Sequence, residues 1–284
     1  MGIKTLFGES MKFAGVSLDE PKIMGVINVS PESFYKGSVR QNEEELIETA
    51  VQMVREGASF IDIGAKSTAP YLETQIPVEE EIRRAVWAIN TIREHVKVPI
   101  SIDTTNAKVA EEAIKAGADI INDVTGLKGD SRMAEVAKEY DVPVIVCAHK
   151  EVKNFTDPVH EVIDALEESL QIAYKNGIEK ERIAIDPAIG FLRPKYPPWY
   201  EWDSKVIANL NLLKVFGLPI LVGVSRKSFI GAITGRKDPL ERLAGSLSAT
   251  AIAVWNGASI IRTHDVKETL DAVKMANFIK KFRG

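Results

Sequence analysis

The chain has only one cysteine among its 284 residues, Cys147, so no disulfide can form within it. This cysteine stands in the apolar stretch PVIVCA, which is typical of a buried strand. No apolar run approaches the roughly 20 residues that a membrane span needs, and the first ten residues lack the apolar core of a signal peptide. These absences predict a cytoplasmic protein with no membrane partner.

An excess of positive charge is also missing, since 36 Lys and Arg face 40 Asp and Glu, for a formal net charge of -4. Non-specific binding to nucleic acid needs a positive field, because lysine and arginine must neutralise the phosphates. We therefore expect no nucleic-acid partner. With 45% apolar residues the chain can bury one large core, and we expect a single domain over residues 1–284.

Eight short apolar runs alternate with helical patterns along the chain. Three runs follow a Gly-Ala pair, three begin at a proline, and two have neither mark. A glycine past a helix end is the usual left-handed terminator, and a strand tolerates proline at its first residue, so each run is expected to be a buried strand. The runs are EGASFIDIG, AGADIINDV, NGASIIRTH, VPISID, VPVIVCA, LPILVGV, KIMGVIN and RIAID.

These strands are apolar throughout, which indicates that both faces of the sheet are covered. Eight such units predict an α/β fold of the (β/α)₈ TIM barrel type rather than an open doubly wound sheet. No Gly-x-Gly-x-x-Gly follows the first strand, which weakens the dinucleotide-binding alternative. Residues 1–20 are expected to form an N-terminal strap or hairpin under the barrel, and residues 193–205 a long loop after strand six.

Every strand ends in a polar residue, at the barrel face where active sites lie. Buried polar atoms cost free energy unless they are paired, so a barrel built only for stability does not need them. Asp62 is interpreted as a group that caps or pairs near the strand end rather than as a ligand, and Arg226 as the salt-bridge partner of an acid at the rim of the barrel. The strand-end residues are Asn28, Asp62, Asp103, Asn122, Asp123, His149, Asp186, Ser225, Lys227, Arg262 and His264.

Six motifs in the chain resemble those of dihydropteroate synthases, over a stretch from Lys22 almost to the C-terminus. The resemblance implies a TIM barrel that joins a dihydropterin hydroxymethyl diphosphate to an arylamine and releases diphosphate. It also implies a homodimer built on late helices. The motifs are IMGVINVSPESF, IDIGAKSTAP, ISIDTTNAKVAEEAIKAGADIINDV, IDPAIGF, LVGVSRKSFIG and IIRTHDVKET.

The same resemblance assigns the pterin to Asp103, Asn122, Asp186, Phe191 and Lys227. The chemistry suits these residues, because one carboxylate can accept two adjacent N–H groups from the 2-amino-4-oxo edge of a pterin. A lysine ammonium can donate to the carbonyl oxygen and a ring nitrogen of the same ligand.

The diphosphate is assigned to Asn28, Arg262 and His264, with Mg²⁺ as cofactor and Asn28 as its ligand. The catalytic set is Asp103, Lys227, Arg262 and His264. Arg262, His264 and the metal would stabilise the charge that grows on the leaving group, while Asp103 offsets charge on the pterin.

The chain departs from the family pattern on the arylamine side. Ala69 replaces the arginine of the usual Ser-Thr-Arg-Pro, and lysines stand at positions 36, 66 and 150. We hypothesise a second substrate larger than p-aminobenzoate that carries its own phosphate, as the ribosylated arylamine phosphate of archaeal methanopterin synthesis does. The residues assigned to the arylamine are Ser67, Thr68, Pro70, Lys66, Lys150 and Ser225.

Other activities remain open on the sequence alone. A pterin-binding domain of the methyltransferase kind, acting with a corrinoid partner, would keep the carboxylates but would not need Lys227, Arg262 and His264 together. A catalytically inactive paralogue would explain Ala69. A Schiff-base aldolase acting through Lys227 is a more remote alternative.

Overall fold

The computed structural model describes residues 10–29, 39–66, 76–153 and 155–282. Its centre is an eight-stranded sheet. The strands are β3 (Lys22–Asn28), β4 (Ala58–Gly64), β5 (Ile100–Asp103), β6 (Ile120–Asp123), β7 (Val144–Cys147), β8 (Ile183–Asp186), β9 (Leu221–Gly223) and β10 (Ile260–Thr263).

All neighbouring strands of this sheet are parallel, in the order β8-β7-β6-β5-β4-β3-β10-β9. A parallel bridge between Ile185 and Ile220 joins the two edges, which closes the sheet into a barrel. Helices lie between the strands and cover the outside. The prediction of a (β/α)₈ TIM barrel is confirmed.

Nine α-helices lie along the described chain, and several begin at residues that suit a helix start. The Asn106 side chain accepts from the amides of Lys108 and Val109, and Asp157 caps a helix whose first residue is Pro158. The helices are α1 (Val39–Arg55), α2 (Val78–Arg93), α3 (Ala107–Lys115), α4 (Met133–Glu139), α5 (Pro158–Lys175), α6 (Trp199–Ala208), α7 (Ser228–Thr234), α8 (Leu243–Asn256) and α9 (Val266–Lys280).

The Gly-Ala pairs stand where a helix turns into a strand. Gly57, Gly117 and Gly257 all have positive φ, between +110° and +116°, which agrees with the helix, turn and strand that the sequence predicted. The prediction of a loop over residues 193–205 is partly wrong. Helix α6 already begins at Trp199, directly after Pro198, because proline suits the residues at the start of a helix.

A hairpin of β1 (Lys12–Phe13) and β2 (Val16–Ser17) lies within the segment for which a strap or hairpin was predicted. Residues 1–9 of that segment are outside the described residues. Phe13 is fully buried, and its ring centre lies 6.3 Å from that of Phe60 in β4. Phe13 packs with apolar side chains from the amino-terminal halves of the strands, including Ile120 and Ile260, and so helps to fill the barrel floor.

Two layers of side chains on the inner face of the barrel explain how the fold positions polar groups. Successive side chains of a strand point to opposite faces, so residues two positions apart share a face. Four strands each place an apolar residue in the floor cluster and a polar one two residues later, nearer the mouth. The pairs are Phe60 and Asp62, Ile120 and Asn122, Ala184 and Asp186, and Ile260 and Arg262.

Within the described ranges, no helix is both long enough and apolar enough to cross a membrane.

Candidate active site

Arg262 is held between two carboxylates in the barrel mouth. Its Nε donates to Asp62 Oδ2 at 2.7 Å, and its Nη2 donates to Asp103 Oδ2 at 3.0 Å. The two aspartates are 0% and 5% exposed. Asp62 Oδ1 and Asp103 Oδ1 have no hydrogen-bond partner among the described residues. Since buried oxygens are normally paired, these two atoms are candidates to accept from a ligand.

Burial raises the pKa of Asp103 to about 7, against the pull of Arg262 and with the help of the nearby Asp62. This carboxyl can therefore gain or lose a proton near neutral pH. Burial alone would lower the pKa of Arg262, but Asp62 and Asp103 outweigh it, and the net shift is upward. Arg262 is thus a permanent cation beside a group that can titrate.

Asp62 pairs near its strand end, which is one of the two roles that its sequence interpretation offered. Asp62 pairs with Arg262, which lies 200 positions away in the sequence and on a different strand. Asn122 Nδ2 lies 3.5 Å from Asp62 Oδ2, at the limit of a hydrogen bond. The sequence did contain a signal that Asp62 faces the inside of the barrel, because it follows the buried Phe60 by two residues.

Asp186 and Lys227 form the second part of the mouth. Asp186 Oδ1 accepts from the amide of Ala188 at 2.8 Å, which fixes the carboxylate on the turn that follows β8. Burial raises the pKa of Asp186, while Lys227 acts to lower it. The Lys227 ammonium lies 4.7 Å from the ring centre of Phe191. Its Nζ donates to the carbonyl of Ile189, and burial lowers its pKa against the attraction of Asp186.

His264 and Ser225 lie beside Arg262 at the rim. Ser225 Oγ is 3.1 Å from His264 Nδ1. Although His264 is exposed, desolvation and then the Arg262 cation lower its pKa, which favours the neutral ring. A neutral ring can donate one hydrogen bond to an anion.

Arg226 points away from this mouth. Its Nε and Nη2 bind the Asp265 carboxylate at 2.8 and 2.6 Å, the salt bridge to a rim acid that the sequence favoured. Its Nη1 donates to the carbonyls of Pro239 and Leu240. The adjacent residues Arg226 and Lys227 therefore have separate tasks, one in holding the loop and one in the mouth.

Two further strand-end residues, Asn28 and Asp123, make their described contacts outside this group of charges. Asn28 is exposed at the end of β3, where a Cβ on Gly64 would lie 2.8 Å from its Oδ1. Asp123 accepts from the amides of Thr125 and Leu127, so it serves a local turn.

Two lysines and a loop were assigned to the arylamine side. Lys150 Nζ lies 2.8 Å from Glu161 and 3.5 Å from Asp164, so its charge is already matched. Lys66 is partly exposed where the described part of its loop ends. Ser225, also assigned to this group, lies at the rim beside His264. Ser67, Thr68 and Pro70 lie outside the described residues, as do Lys36 and Ala69.

Sequence reasoning missed Asp203 in α6. This residue is fully buried, and its Oδ1 accepts from the amide of Gly190 at 2.9 Å. Burial raises the pKa of Asp203 to about 6. A signal was present, because Val206 and Ile207 follow three and four residues later and lie on the same buried helix face.

Comparison with known proteins agrees with this geometry. The family model described as pterin binding enzyme matches residues 24–264. The dihydropteroate synthase of Bacillus subtilis is 37% identical over 253 residues, which is 89% of this chain and 86% of the relative.

Two solved structures of dihydropteroate synthases also share the fold. The Clostridium difficile protein, determined with pteroic acid, has a TM-score of 0.84 at 37% identity and is matched over 94% of this chain and 98% of that one. The Xanthomonas albilineans protein, determined with 4-aminobenzoic acid, has a TM-score of 0.86 at 35% identity, over 95% and 97% of the two chains. By sequence and by fold, the chain belongs to the dihydropteroate synthase family of pterin-binding enzymes.

Proposed function

We propose that this protein condenses 6-hydroxymethyl-7,8-dihydropterin diphosphate with an arylamine and releases diphosphate. One observation carries the proposal: Arg262 is held by Asp62 and Asp103 in the barrel mouth, and Asp186 and Lys227 lie at or just after the ends of the strands whose pairing closes the same barrel. A pterin needs carboxylates and a donor at its edge, and a leaving diphosphate needs cations. The mouth provides both side by side.

The pterin ring suits the Asp186 side of the mouth. A carboxylate can accept two N–H groups from the 2-amino-4-oxo edge at once. The Lys227 ammonium stands above the Phe191 ring and beside Asp186, where it can donate to the carbonyl oxygen of the same edge. The orphan Oδ1 of Asp103 offers a further acceptor.

The diphosphate suits the Arg262 side. A guanidinium carries five N–H donors, and Asp62 and Asp103 occupy two of those on Arg262, so three remain for an anion. His264 can add one more donor. These groups would stabilise negative charge on the leaving oxygen while the bond from the pterin methylene carbon to that oxygen breaks.

The reaction needs no nucleophilic side chain from the protein. Diphosphate leaves with the electron pair of the broken bond, and the methylene carbon becomes electron-poor. The arylamine nitrogen donates its lone pair to that carbon and afterwards loses one proton. Ionised Asp103, held near the pterin, would offset the positive charge of the intermediate.

We propose that Mg²⁺ binds together with the substrate diphosphate and is not held by the protein alone. The described ranges contain no group of three His, Cys, Asp or Glu residues that could hold a metal. Mg²⁺ commonly relies on phosphate oxygens and water with few protein ligands. The Asn28 side-chain oxygen could supply one ligand, and the metal would then neutralise charge on the leaving group.

The second substrate is proposed to be p-aminobenzoate or a larger phosphorylated arylamine. Because Glu161 and Asp164 already match Lys150, support for a phosphate falls on Lys66.

We also propose a cytoplasmic homodimer. Large apolar side chains project into solvent from the last three helices and the segments that adjoin them, as expected of a face that pairs with a second copy. These side chains are Ile233, Leu240, Ile252, Met275, Phe278 and Phe282.

The test mixes purified protein with the dihydropterin diphosphate, Mg²⁺ and each arylamine in turn, and measures released diphosphate together with the mass of the product. Asp186→Asn should weaken pterin affinity by about 10- to 100-fold, since a charge-assisted acceptor is lost. The matched control is Asp141→Asn, an exposed carboxylate in the turn before β7, at the other end of the barrel. Pterin binding without product from either amine would contradict the synthase and favour the methyltransferase alternative.

A further inference from the structure

A single peptide group connects Lys227 with the buried carboxylate of Asp203. Lys227 Nζ donates to the carbonyl oxygen of Ile189, and the N–H of Gly190 donates to Asp203 Oδ1 at 2.9 Å. That carbonyl and that N–H belong to the same peptide bond. The ammonium therefore lies at one end of a peptide dipole and the carboxylate at the other.

We propose that Asp203 is a positioning residue, which holds the Ile189–Gly190 peptide so that its carbonyl receives and orients the Lys227 ammonium for the pterin. The inference rests on the proposed pterin binding and extends it to a residue outside the mouth. Asp203 itself need not touch the substrate.

The peptide is shaped for this role. Gly190 has a φ of +83°, which side chains rarely adopt, and a Cβ there would lie 2.9 Å from Lys227 Cδ. The absence of a side chain leaves room for the lysine stem against the backbone. The next residue, Phe191, places its ring 4.7 Å from the same ammonium. Ile189, Gly190 and Phe191 thus together hold the side chain of Lys227.

The support for this peptide is buried. Asp203 stands on α6 beside Trp202, which is 1% exposed, and is itself 0% exposed. Its Oδ2 has no hydrogen-bond partner among the described residues. The hydrogen bond from the Gly190 amide favours the charged form of Asp203 most, and the positive charges of Lys227 and then Arg193 add to it. The Lys227 ammonium acts on Asp203 across the aligned peptide.

The arrangement should respond to pH. Burial raises the pKa of Asp203 to about 6, while the Gly190 amide, Lys227 and Arg193 oppose that rise. Protonation of Asp203 would remove its pull on the peptide and leave the ammonium less firmly held. The charged or titratable groups that also act on Lys227 are Asp186, Arg262 and Cys147.

The first test needs no substrate. The rate at which a small amine-reactive reagent labels Lys227 is followed by mass spectrometry across a pH series, which gives the pKa of that ammonium. In Asp203→Asn the midpoint should fall by about one pH unit, because a stabilising negative charge is lost. Glu201→Gln, an exposed change on the same helix, should leave the midpoint where it is. An equal midpoint in wild type and Asp203→Asn would overturn the proposal.

The second test is a double-mutant cycle on the affinity for 6-hydroxymethyl-7,8-dihydropterin diphosphate. Asp203→Ala should weaken binding about 10-fold in the wild type but less than about 2-fold in a Lys227→Met background, since Asp203 acts through the lysine. Equal losses in both backgrounds would show a purely structural role and refute the inference.

Asp203→Asn provides the rescue control. It keeps an acceptor for the Gly190 amide, so it should bind the pterin diphosphate better than Asp203→Ala, and its affinity should no longer change between pH 5 and pH 7 through this group. Thermal unfolding of each variant checks the fold. If the wild type binds no pterin at all, the proposed function fails, whereas the labelling experiment still decides the link between Asp203 and Lys227.

Discussion

The two ends of the barrel use the same strands for opposite purposes. At the floor, Phe13 of the hairpin packs against Phe60, Ile120 and Ile260, all fully buried and apolar. Two residues further along the same strands, the inner face carries buried carboxylates, an amide and a guanidinium. In the mouth, Asp62 and, on the neighbouring strand β5, Asp103 each have an oxygen without a hydrogen-bond partner among the described residues.

This contrast separates stability from chemistry along one axis. Burying apolar area at the floor stabilises the fold by about 25 cal/mol for each Å². Burying charge at the mouth is unfavourable or nearly neutral even when the charges are paired. The fold can therefore hold a poorly satisfied polar cluster ready for a ligand, because the floor and the outer helical layer provide the stability.

Arg262→Met is the substitution expected to disrupt the mouth most. It leaves the buried carboxylates of Asp62 and Asp103 facing each other without a cation. We expect a loss of about 3–5 kcal/mol in the free energy of unfolding. We also expect a fall in kcat of about 10²–10³ or more, because the donor to the leaving group is gone. Denaturant unfolding and diphosphate release measure the two effects.

Arg262→Lys is the matched control for charge. It should recover part of the stability but little of the activity, since an ammonium cannot span two carboxylates and an anion as a guanidinium fork does. If Arg262→Met stayed as stable as the wild type, the ion-pair network would not be the central feature of the mouth.

The corresponding change at the floor is Phe13→Ala. Removal of a fully buried aromatic ring should lower the free energy of unfolding by about 3–5 kcal/mol. The affinity for the pterin diphosphate and the kcat of the folded fraction should stay within about 2-fold of wild type, because independent sites do not couple. Val16→Ala, in the partner strand of the hairpin, should cost much less, since Val16 is only partly buried. A pterin affinity that fell with Phe13→Ala would show that the two ends are coupled.

Local patterns were enough to predict the barrel. The Gly-Ala pairs mark helix ends through residues adjacent in the sequence, as Gly57 and Gly257 show, and apolar runs of strand length follow them. The same strand-end logic placed Asp103, Asn122, Asp186 and Arg262 on one inner face. Helix α6 was missed over its first residues because Pro198 and the aromatic residues around it read locally as loop.

The identity of partners far apart in the sequence could not be predicted. Asp62 and Arg262 are 200 positions apart, and their contact depends on the closure of the barrel. Asp203 binds the amide of Gly190 across 13 positions, which no motif records. The acids that neutralise Lys150 lie one turn apart on α5, facing back to its loop. Single residues at strand ends are visible in a sequence, but the pairs they form are not.

The pH dependence of stability also distinguishes the mouth from the floor. The pKa of Asp103 is raised to about 7 from an ordinary value of 3.8, so the folded protein holds this proton more tightly than the unfolded chain. Its contribution to stability is fully present at low pH and is lost as the pH rises through 7. Asp103→Asn removes that loss, and its stability relative to wild type should rise by about 2 kcal/mol between pH 5 and pH 8.

Denaturant unfolding at several pH values measures this difference, in which groups that do not interact with Asp103 cancel. The charged groups that act on Asp103, among them Arg262 and Asp62, contribute to it. The floor variant Phe13→Ala serves as the control, because its stability deficit should be the same at pH 5 and pH 8. An equally flat difference for Asp103→Asn would mean that Asp103 stays ionised throughout this range.

The smallest effects are expected on the arylamine side, where Lys66 and Lys150 can be compared. The hydrogen bond and charge of Glu161 raise the pKa of Lys150 and already satisfy its ammonium. Lys150→Ala should therefore change kcat/KM for either arylamine by less than about 2-fold and cost at most about 1 kcal/mol, as for other partly exposed ion pairs. Lys66 has no ion pair with the residues that the structure describes, so Lys66→Ala should raise the KM for a phosphorylated arylamine about 10-fold and leave p-aminobenzoate unaffected. If Lys150→Ala were the more damaging change, the pair with Glu161 would have to open when substrate binds, and the phosphate would lie over α5 instead.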